Sequence, residues 1–448
     1  MKVAHVPFVF TPDPIGGTEV YVTDLAKALR LRETESIVVV PGVQTEAYEV
    51  EGIPVRRFAV SANVGLDALY GEGDAAAALN FGAILDAERP DLVHFHAFTS
   101  ANSLLSVRQA RQRGLPVLFT YHTPTVTCGR GTLLELGSSV CDGYMAPLRC
   151  AKCTLHGLGL PLSVASVAAQ FPAPLIRQVE KLGLASGIWT ALRMRALQEL
   201  RQKAVREFLN LCDRIVVPAK WVGDVLTLNG VAADRIAFCR QGVGPYGAGG
   251  RAAAGEGSGP LRLAWLGRLH PTKGLHILLE AFAMMPDVQI ELDAFPILQG
   301  ANDAPYVSGI RESASKDRRI RLLAAIEPAR VVHTLAEYEA LAVPSQWLET
   351  GPLVVLEAFA AGIPVIGSDL GGIAELVADG KDGVLVDPSR PRAWSEALSR
   401  LATNRPALAA LTSGVSPPRT MDSVAAETGK IYEELIGAAR RKGMHPWG

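Results

Sequence analysis

Two carboxylates, Glu349 and Glu357, have seven residues between them, and that stretch carries Pro352 and an apolar run. Proline is favoured at the first helical position and glycine just past the last, so Pro352 and Gly362 frame an expected helix of about ten residues. The first backbone N–H groups of such a helix, around Gly351, Pro352, Leu353 and Val354, have no partners within it. Its dipole also draws anions, which suits a pyrophosphate. Glu357 would lie roughly 7.5 Å along the axis from Pro352, far enough to reach past phosphates to a ribose. A carboxylate accepts two hydrogen bonds side by side, which matches a vicinal diol. Glu349, on the preceding loop, would do the same for the hydroxyls of a sugar. Spacing alone fits a capping acid and a solvated helix acid equally well.

Two neighbouring segments favour the ligand reading. Leu261-Arg-Leu-Ala-Trp-Leu-Gly-Arg268 reads as a buried strand running into a loop with two cations, Arg268 and Lys273, followed by the apolar periodicity of a helix from Leu275 to Met285. Ligands of open α/β sheets bind at the carboxyl ends of the strands. Two cations there suit a diphosphate, Arg by a bidentate grip and Lys as a point charge. Pro364-Val-Ile-Gly-Ser-Asp-Leu-Gly371-Gly372 is a further strand ending in paired glycines, which let backbone approach a ligand closely.

With these residues in this order, the chain resembles the retaining glycosyltransferases of glycosyltransferase family 4. The matching stretches are Gly267-Arg-Leu-His-Pro-Thr-Lys-Gly274, Val343-Pro-Ser-Gln-Trp-Leu-Glu349, the Glu349/Glu357 pair, and Ala361 through Val377, continued by Asp379 to Val386. The resemblance runs from about residue 261 to 400 and is thinner in the N-terminal half. It implies the GT-B fold, in which two Rossmann-like, doubly wound α/β domains face a central cleft. It further implies that Arg268 and Lys273 bind the donor diphosphate, that Glu357 binds the ribose and that Glu349 contacts the donor sugar. Gly16 and Gly17 match the family's N-terminal turn beside the donor, and His122 matches a histidine at the reaction centre. Two departures, Ala324 and the Ala294-Phe-Pro-Ile-Leu stretch, replace glycines near the expected nucleobase pocket. The implied activity is metal-independent transfer of a sugar, with same-face attack, from a nucleotide-diphosphate sugar to a carbohydrate, lipid-linked or small-molecule hydroxyl in polysaccharide or glycoconjugate synthesis. A sugar-nucleotide epimerase or hydrolase on the same fold, and a non-catalytic sugar-nucleotide binder, are the alternatives.

The elements that must position these residues fit that architecture. At 448 residues the chain exceeds one typical core, and 48% hydrophobic with 20% charged residues suits a well-buried α/β protein. A net charge of −1 gives nucleic acid no global electrostatic footing. Neither Asp-x-Asp nor Gly-x4-Gly-Lys-Ser/Thr occurs. Strands are expected at Lys2–Phe10, Ser36–Val40, Asp91–His96 and Pro116–His122, with helices between, which is the alternation of a parallel sheet. His94 and His96 read as burial beside that sheet. Expected boundaries are 1–241 for a first domain with an insertion at 123–211, 242–260 for a Gly/Ala-rich linker, 261–418 for a nucleotide-sugar domain, and 419–448 for a helix returning to the first domain.

Four of the six cysteines fall in the insertion as Cys128-x12-Cys141-x8-Cys150-x2-Cys153. Four thiolates suit a closed tetrahedral site, so a structural zinc is expected, with no cofactor for catalysis. Two disulfides, an iron–sulfur cluster and four unconnected thiols are the other readings. Cys212 and Cys239 read as ordinary buried thiols. Residues 177–206 hold seven basic side chains against two acidic ones, which suits either a solvated helix face or a peripheral contact with anionic lipid. The N-terminus lacks a cleavage-site pattern and no apolar run nears the roughly 18 residues that span a bilayer. The expected place is the cytoplasm, with the inner membrane face as the peripheral option.

Overall fold

Short runs of Val, Ile, Leu and Phe alternate with helices along the chain and assemble into two parallel sheets, one in each of two units. The first unit comprises Met1–Arg240 and Val424–Gly448, and the second Gln241–Ser423. The structure, a computed structural model, describes residues 1–13, 16–171, 187–244, 259–298, 304–444 and 447. Most of the expected linker, with Arg177, Glu180 and Lys181 of the basic stretch, lies outside these residues.

The first unit contains β1 (Lys2–Val6), β2 (Glu35–Gly42), β3 (Glu46–Val50), β4 (Ile53–Ala59), β5 (Leu92–Phe95), β6 (Val117–Thr120), the small hairpin β7 (Leu134–Glu135) and β8 (Ser139–Val140), then β9 (Arg214–Val217) and β10 (Ile236–Phe238). Its eight-stranded sheet runs in the order β10-β9-β6-β5-β1-β2-β4-β3. All neighbours are parallel except β3, which pairs antiparallel with β4 at the edge. β1 stops at Val6, short of the expected Phe10, because Pro7 has no N–H to continue the ladder. One face of the central strands packs Phe95, Phe119 and Tyr121 with Phe81 and Phe208. Because side chains alternate along a strand, His94 and His96 fall on the opposite face. There the helix Met421–Arg441 supplies Tyr432, whose hydroxyl meets His94 Nδ1 at 2.7 Å.

The insertion folds as the helices Pro147–Gly157, Leu162–Ala169 and Gly187–Leu211, joined by a small cluster of Ala151, Leu155, Ala165 and Met194. Leu197, Ala204 and Phe208 of the long helix are buried as their spacing predicts, whereas Leu200 is 37% exposed.

The second unit contains β11 (Leu261–Arg268), β12 (Ile290–Ile297), β13 (Ile320–Leu322), β14 (Ala340–Val343), β15 (Val365–Ser368) and β16 (Gly383–Val386). Its sheet is parallel throughout, in the order β13-β12-β11-β14-β15-β16. Counted within the unit this is 3-2-1-4-5-6, the dinucleotide-fold order, whose chain reverses direction across the sheet between β11 and β14. Buried Trp265, Phe282 and Trp394 anchor the core on one face of this sheet, and Leu341, Val355 and Phe359 that on the other. The loops that leave β11 and β14 therefore emerge side by side, and they carry the chemistry.

Candidate functional site

Glu349 lies on the loop after β14 and is 7% exposed. Its Oε1 accepts hydrogen bonds from Lys273 Nζ at 2.6 Å, Trp347 Nε1 at 2.7 Å and Ser345 Oγ at 2.8 Å. Burial by itself would raise the carboxyl. The Lys273 charge and these hydrogen bonds outweigh it and hold the group below the usual carboxylate range. Lys273 also sits 5.4 Å from the Trp347 ring, a cation–π distance. The residue reading had Lys273 on a diphosphate and Glu349 on a sugar; the structure bonds them to each other. Ser345 and Trp347 belong to the stretch that carried the resemblance, yet their roles were not read from it. Only a hydroxyl and an indole N–H, four and two residues before an acid, hinted at them.

Backbone packing locks this cluster. Gly274 adopts φ +71, and a Cβ there would fall 1.8 Å from the Pro344 carbonyl oxygen. The Gln346 N–H donates to the Thr272 carbonyl at 2.7 Å, stapling the β14 loop to the β11 loop. The buried Trp265 indole reaches the Lys273 carbonyl at 3.4 Å. The paired glycines also pack against backbone. Gly372 N–H donates to the Glu349 carbonyl at 2.7 Å, and a Cβ on Gly372 would lie 2.6 Å from that oxygen. They bring backbone close to the Glu349 loop, and so shape the site from behind.

The helix after this loop spans Leu353–Ala360. Pro352 occupies the capping position with extended backbone (φ −69, ψ 108) instead of the first helical one, and Gly362 lies just beyond the end at φ +74. Leu353 and Val354 open the helix, Gly351 precedes the cap, and Glu357 sits half-buried one turn in. Arg268 is the last residue of β11, in register with Ile297 and half-buried. Ala294 and Phe295 are buried in β12, and Ala324 follows β13 outside any strand.

In the first unit, Gly16 and Gly17 stand at the start of the helix Gly17–Arg30, where the Gly16 N–H donates to Glu19 Oε2 at 2.8 Å. His122 lies two residues beyond β6, is 6% exposed, packs edge-on to Tyr21 at 4.7 Å and places Nε2 3.0 Å from His96 Nδ1. Burial pushes the His122 imidazole down to about 3. His94 and His96 are buried beside the sheet, as their alternation suggests.

The cysteines are free, and Cys128, Cys141, Cys150 and Cys153 are all half-buried. Among the described residues, the one group of three His, Cys, Asp or Glu side chains with ligand atoms within 4.8 Å of one another is His5, His94 and His96. Cys153 Sγ accepts the Leu136 N–H at 3.2 Å in the β7–β8 hairpin. Burial pushes the Cys150 thiol up to about 11. Cys212 and Cys239 are buried. The basic helix spends much of its charge internally. Arg193 pairs with Asp67 at 2.8 Å, Arg195 with Glu199 at 3.3 Å, and Arg201 turns inward to the Thr125 carbonyl and the Phe98 ring. Lys203 and Arg206 stay exposed. None of the described helices is long and apolar enough to cross a membrane.

The sequence profile described as Glycosyltransferase Family 4 matches residues 15–245, just over half of the chain. The chain belongs to glycosyltransferase family 4. A second profile, Glycosyl transferases group 1, matches residues 251–414 of this family 4 protein. Among curated relatives, the D-inositol 3-phosphate glycosyltransferase of Corynebacterium glutamicum (strain R) is 35% identical over 144 residues, which is 31% of this chain and 34% of the relative. The enzyme of that name from Mycobacterium sp. (strain KMS) is 28% identical over 215 residues, 46% of this chain and 49% of the relative. The matches thus span a third to a half of those relatives. Among solved structures, sucrose-phosphate synthase from Thermosynechococcus elongatus aligns with a TM-score of 0.66 at 18% identity, covering 98% of this chain and 99% of that one. Anabaena Alr3699/HepE in complex with UDP and glucose aligns at 0.63 and 16% identity, covering 97% and 99%. These likenesses establish the GT-B fold for the family 4 chain.

Proposed function

We propose that the protein is a retaining glycosyltransferase that moves a sugar from a nucleotide-diphosphate donor to a hydroxyl acceptor. The observation that carries this reading is the Lys273–Glu349 cluster at the point where the second sheet reverses, directly ahead of a helix N-terminus. As the glycosidic C–O bond to phosphate breaks, its electron pair passes to the diphosphate. Arg268, Lys273 and the N–H groups around Gly351, Leu353 and Val354 would stabilise that charge without a metal ion, which is electrostatic preorganisation. An ammonium has three N–H donors, so Lys273 keeps Glu349 while facing a phosphate oxygen. Glu349 would orient the sugar hydroxyls and Glu357 the ribose diol. Gly16 and Gly17 would flank the donor, and His122 the reacting sugar. The acceptor oxygen would then bond the anomeric carbon on the face the diphosphate leaves, its proton passing to the departing phosphate.

Glu357→Ala is expected to abolish donor binding, read by calorimetry against a panel of sugar nucleotides; full turnover in that variant would refute the site. Donor incubated alone should stay intact, since steady hydrolysis or epimerisation would favour the rival chemistries. Tight binding without turnover would favour a sugar-nucleotide sensor. The curated relatives are named for an inositol phosphate acceptor, and a polyol or its phosphate heads the acceptor list, ahead of carbohydrate and lipid-linked hydroxyls in polysaccharide or glycoconjugate synthesis. A cytoplasmic enzyme with peripheral membrane contact through residues 177–206 would show flotation with anionic liposomes. A structural zinc on Cys128, Cys141, Cys150 and Cys153 would require the thiols to close together. Less than half an equivalent of metal, in protein never exposed to chelator, overturns it.

A further inference from the structure

The histidines of the first unit form a continuous chain that ends at His122. Ser36 Oγ lies 3.3 Å from His5 Nε2, His5 Nδ1 lies 3.1 Å from His96 Nε2, and His96 Nδ1 lies 3.0 Å from His122 Nε2. His5 and His96 are at most 1% exposed. His94 stands beside the chain, held by Tyr432 and by Thr120 Oγ1, each at 2.7 Å.

A bond between two imidazole nitrogens needs one proton, on one side or the other. Burial pushes His5 and His122 down to about 3 and His96 well below its usual value, so each ring is neutral near pH 7 and carries a single proton. Only two arrangements then satisfy the three contacts of this chain. In one, the Ser36 hydroxyl donates to His5, His5 Nδ1–H donates to His96, and His96 Nδ1–H donates to His122 Nε2, which leaves the His122 proton on Nδ1. In the other every bond is reversed and the proton sits on Nε2. The three rings cannot choose separately. A hydroxyl donating to a bare imidazole nitrogen is the stronger terminal bond, because that nitrogen is a better acceptor than a serine oxygen, and this selects the first arrangement.

We propose that His5 and His96 are positioning residues that hold His122 as its Nδ1–H tautomer and fix its ring orientation, a role that rests on the reading of His122 as the residue beside the reacting sugar. The ring of His122 is thereby set by Ser36, two side chains further back, and its tautomer is the one that free histidine disfavours. The nitrogens of His5 and His96 also lie within metal-ligand reach of His94. Hydrogen bonds nonetheless engage both ring nitrogens of each of the three, so a metal would have to break that pairing.

The test is nitrogen-15 NMR of the full chain with labelled histidine, with the His122 signals assigned by their loss in His122→Gln. The expected result is His122 protonated at Nδ1 in the wild type and at Nε2 in His96→Phe. In the same variant kcat should fall about tenfold, the order that lost outer-layer hydrogen-bond partners cost at comparable sites, with the donor KM unchanged. His5→Leu, a variant at the far end of the chain, gives the same readout should His96→Phe fail to fold. An Nε2–H His122 in the wild type, or a tautomer unmoved by either substitution, overturns the proposal. A stoichiometric metal that His5→Leu releases also overturns it, since the rings would then be ligands. A shifted tautomer with unchanged turnover supports the chain and overturns instead the placement of His122 at the sugar.

Discussion

The two parallel sheets of this protein solve the same problem in opposite ways. Each presents polar side chains at the carboxyl ends of its central strands. The second unit uses full charges, a carboxylate and an ammonium 2.6 Å apart with an indole and a hydroxyl in support. The first uses neutral imidazoles linked nitrogen to nitrogen, with a tyrosine and a serine at the margins. A buried charge must be paired, so the charged edge depends on a partner of opposite charge. A buried neutral ring needs only a hydrogen bond, so the histidine edge can be assembled from adjacent strands. The charged edge suits holding an anion, and the neutral edge suits setting a proton's position.

Lys273→Ala should expose that difference most strongly. It removes the ammonium 2.6 Å from the buried Glu349 carboxylate and is expected to destabilise the protein by about 3 kcal/mol in urea unfolding, with loss of donor binding. A loss below about 1 kcal/mol would mean that Trp347 and Ser345 suffice and that the charge pairing matters little.

Acid should separate the two edges next. His5 and His122 are depressed in the folded state from 6.5 to about 3. The unfolded chain therefore binds more protons below pH 6.5, and stability falls as pH drops through that window, by about 1.4 kcal/mol per pH unit for each such histidine. Glu349 is depressed below the carboxylate range. Its contribution is fully present above the unfolded value and is lost only as pH falls through the lower folded one. The first unit should thus weaken at mildly acid pH while the Lys273–Glu349 cluster persists. Hydrogen exchange at pH 7 and pH 5 reads this directly, and faster exchange in β14 than in β5 at pH 5 would contradict it.

Tyr432→Phe should have the smallest effect. It removes the 2.7 Å bond to His94 without touching the chain to His122. A loss of about 1 kcal/mol is expected, with kcat unchanged. A large fall in kcat would show that His94 belongs to the chain as well.

Much of the candidate site in the second unit could be read before folding. The helix from Leu353, the glycine past its end and the carboxylate one turn in follow from local rules, because proline, glycine and helical period act within a few residues. The parallel sheets follow from apolar runs alternating with helical patterns. The partner of Glu349 could not be read this way: Lys273 is 76 residues distant and meets it only because β11 and β14 are neighbours. Gly371 and Gly372 were legible as a close approach, but whether backbone or ligand would fill it depended on where the Glu349 loop came to rest. The histidine chain was the least legible. His5, His96 and His122 stand on or just past three separate strands, and a ring nitrogen's partner is fixed by strand order and register, which no local pattern encodes. Four clustered cysteines read as a ligand set because their spacing is local, whereas whether their thiols converge depends on how the helices and hairpin of the insertion pack. Residue type and spacing thus settled which chemistry was available, and the packing of distant strands settled which groups touch.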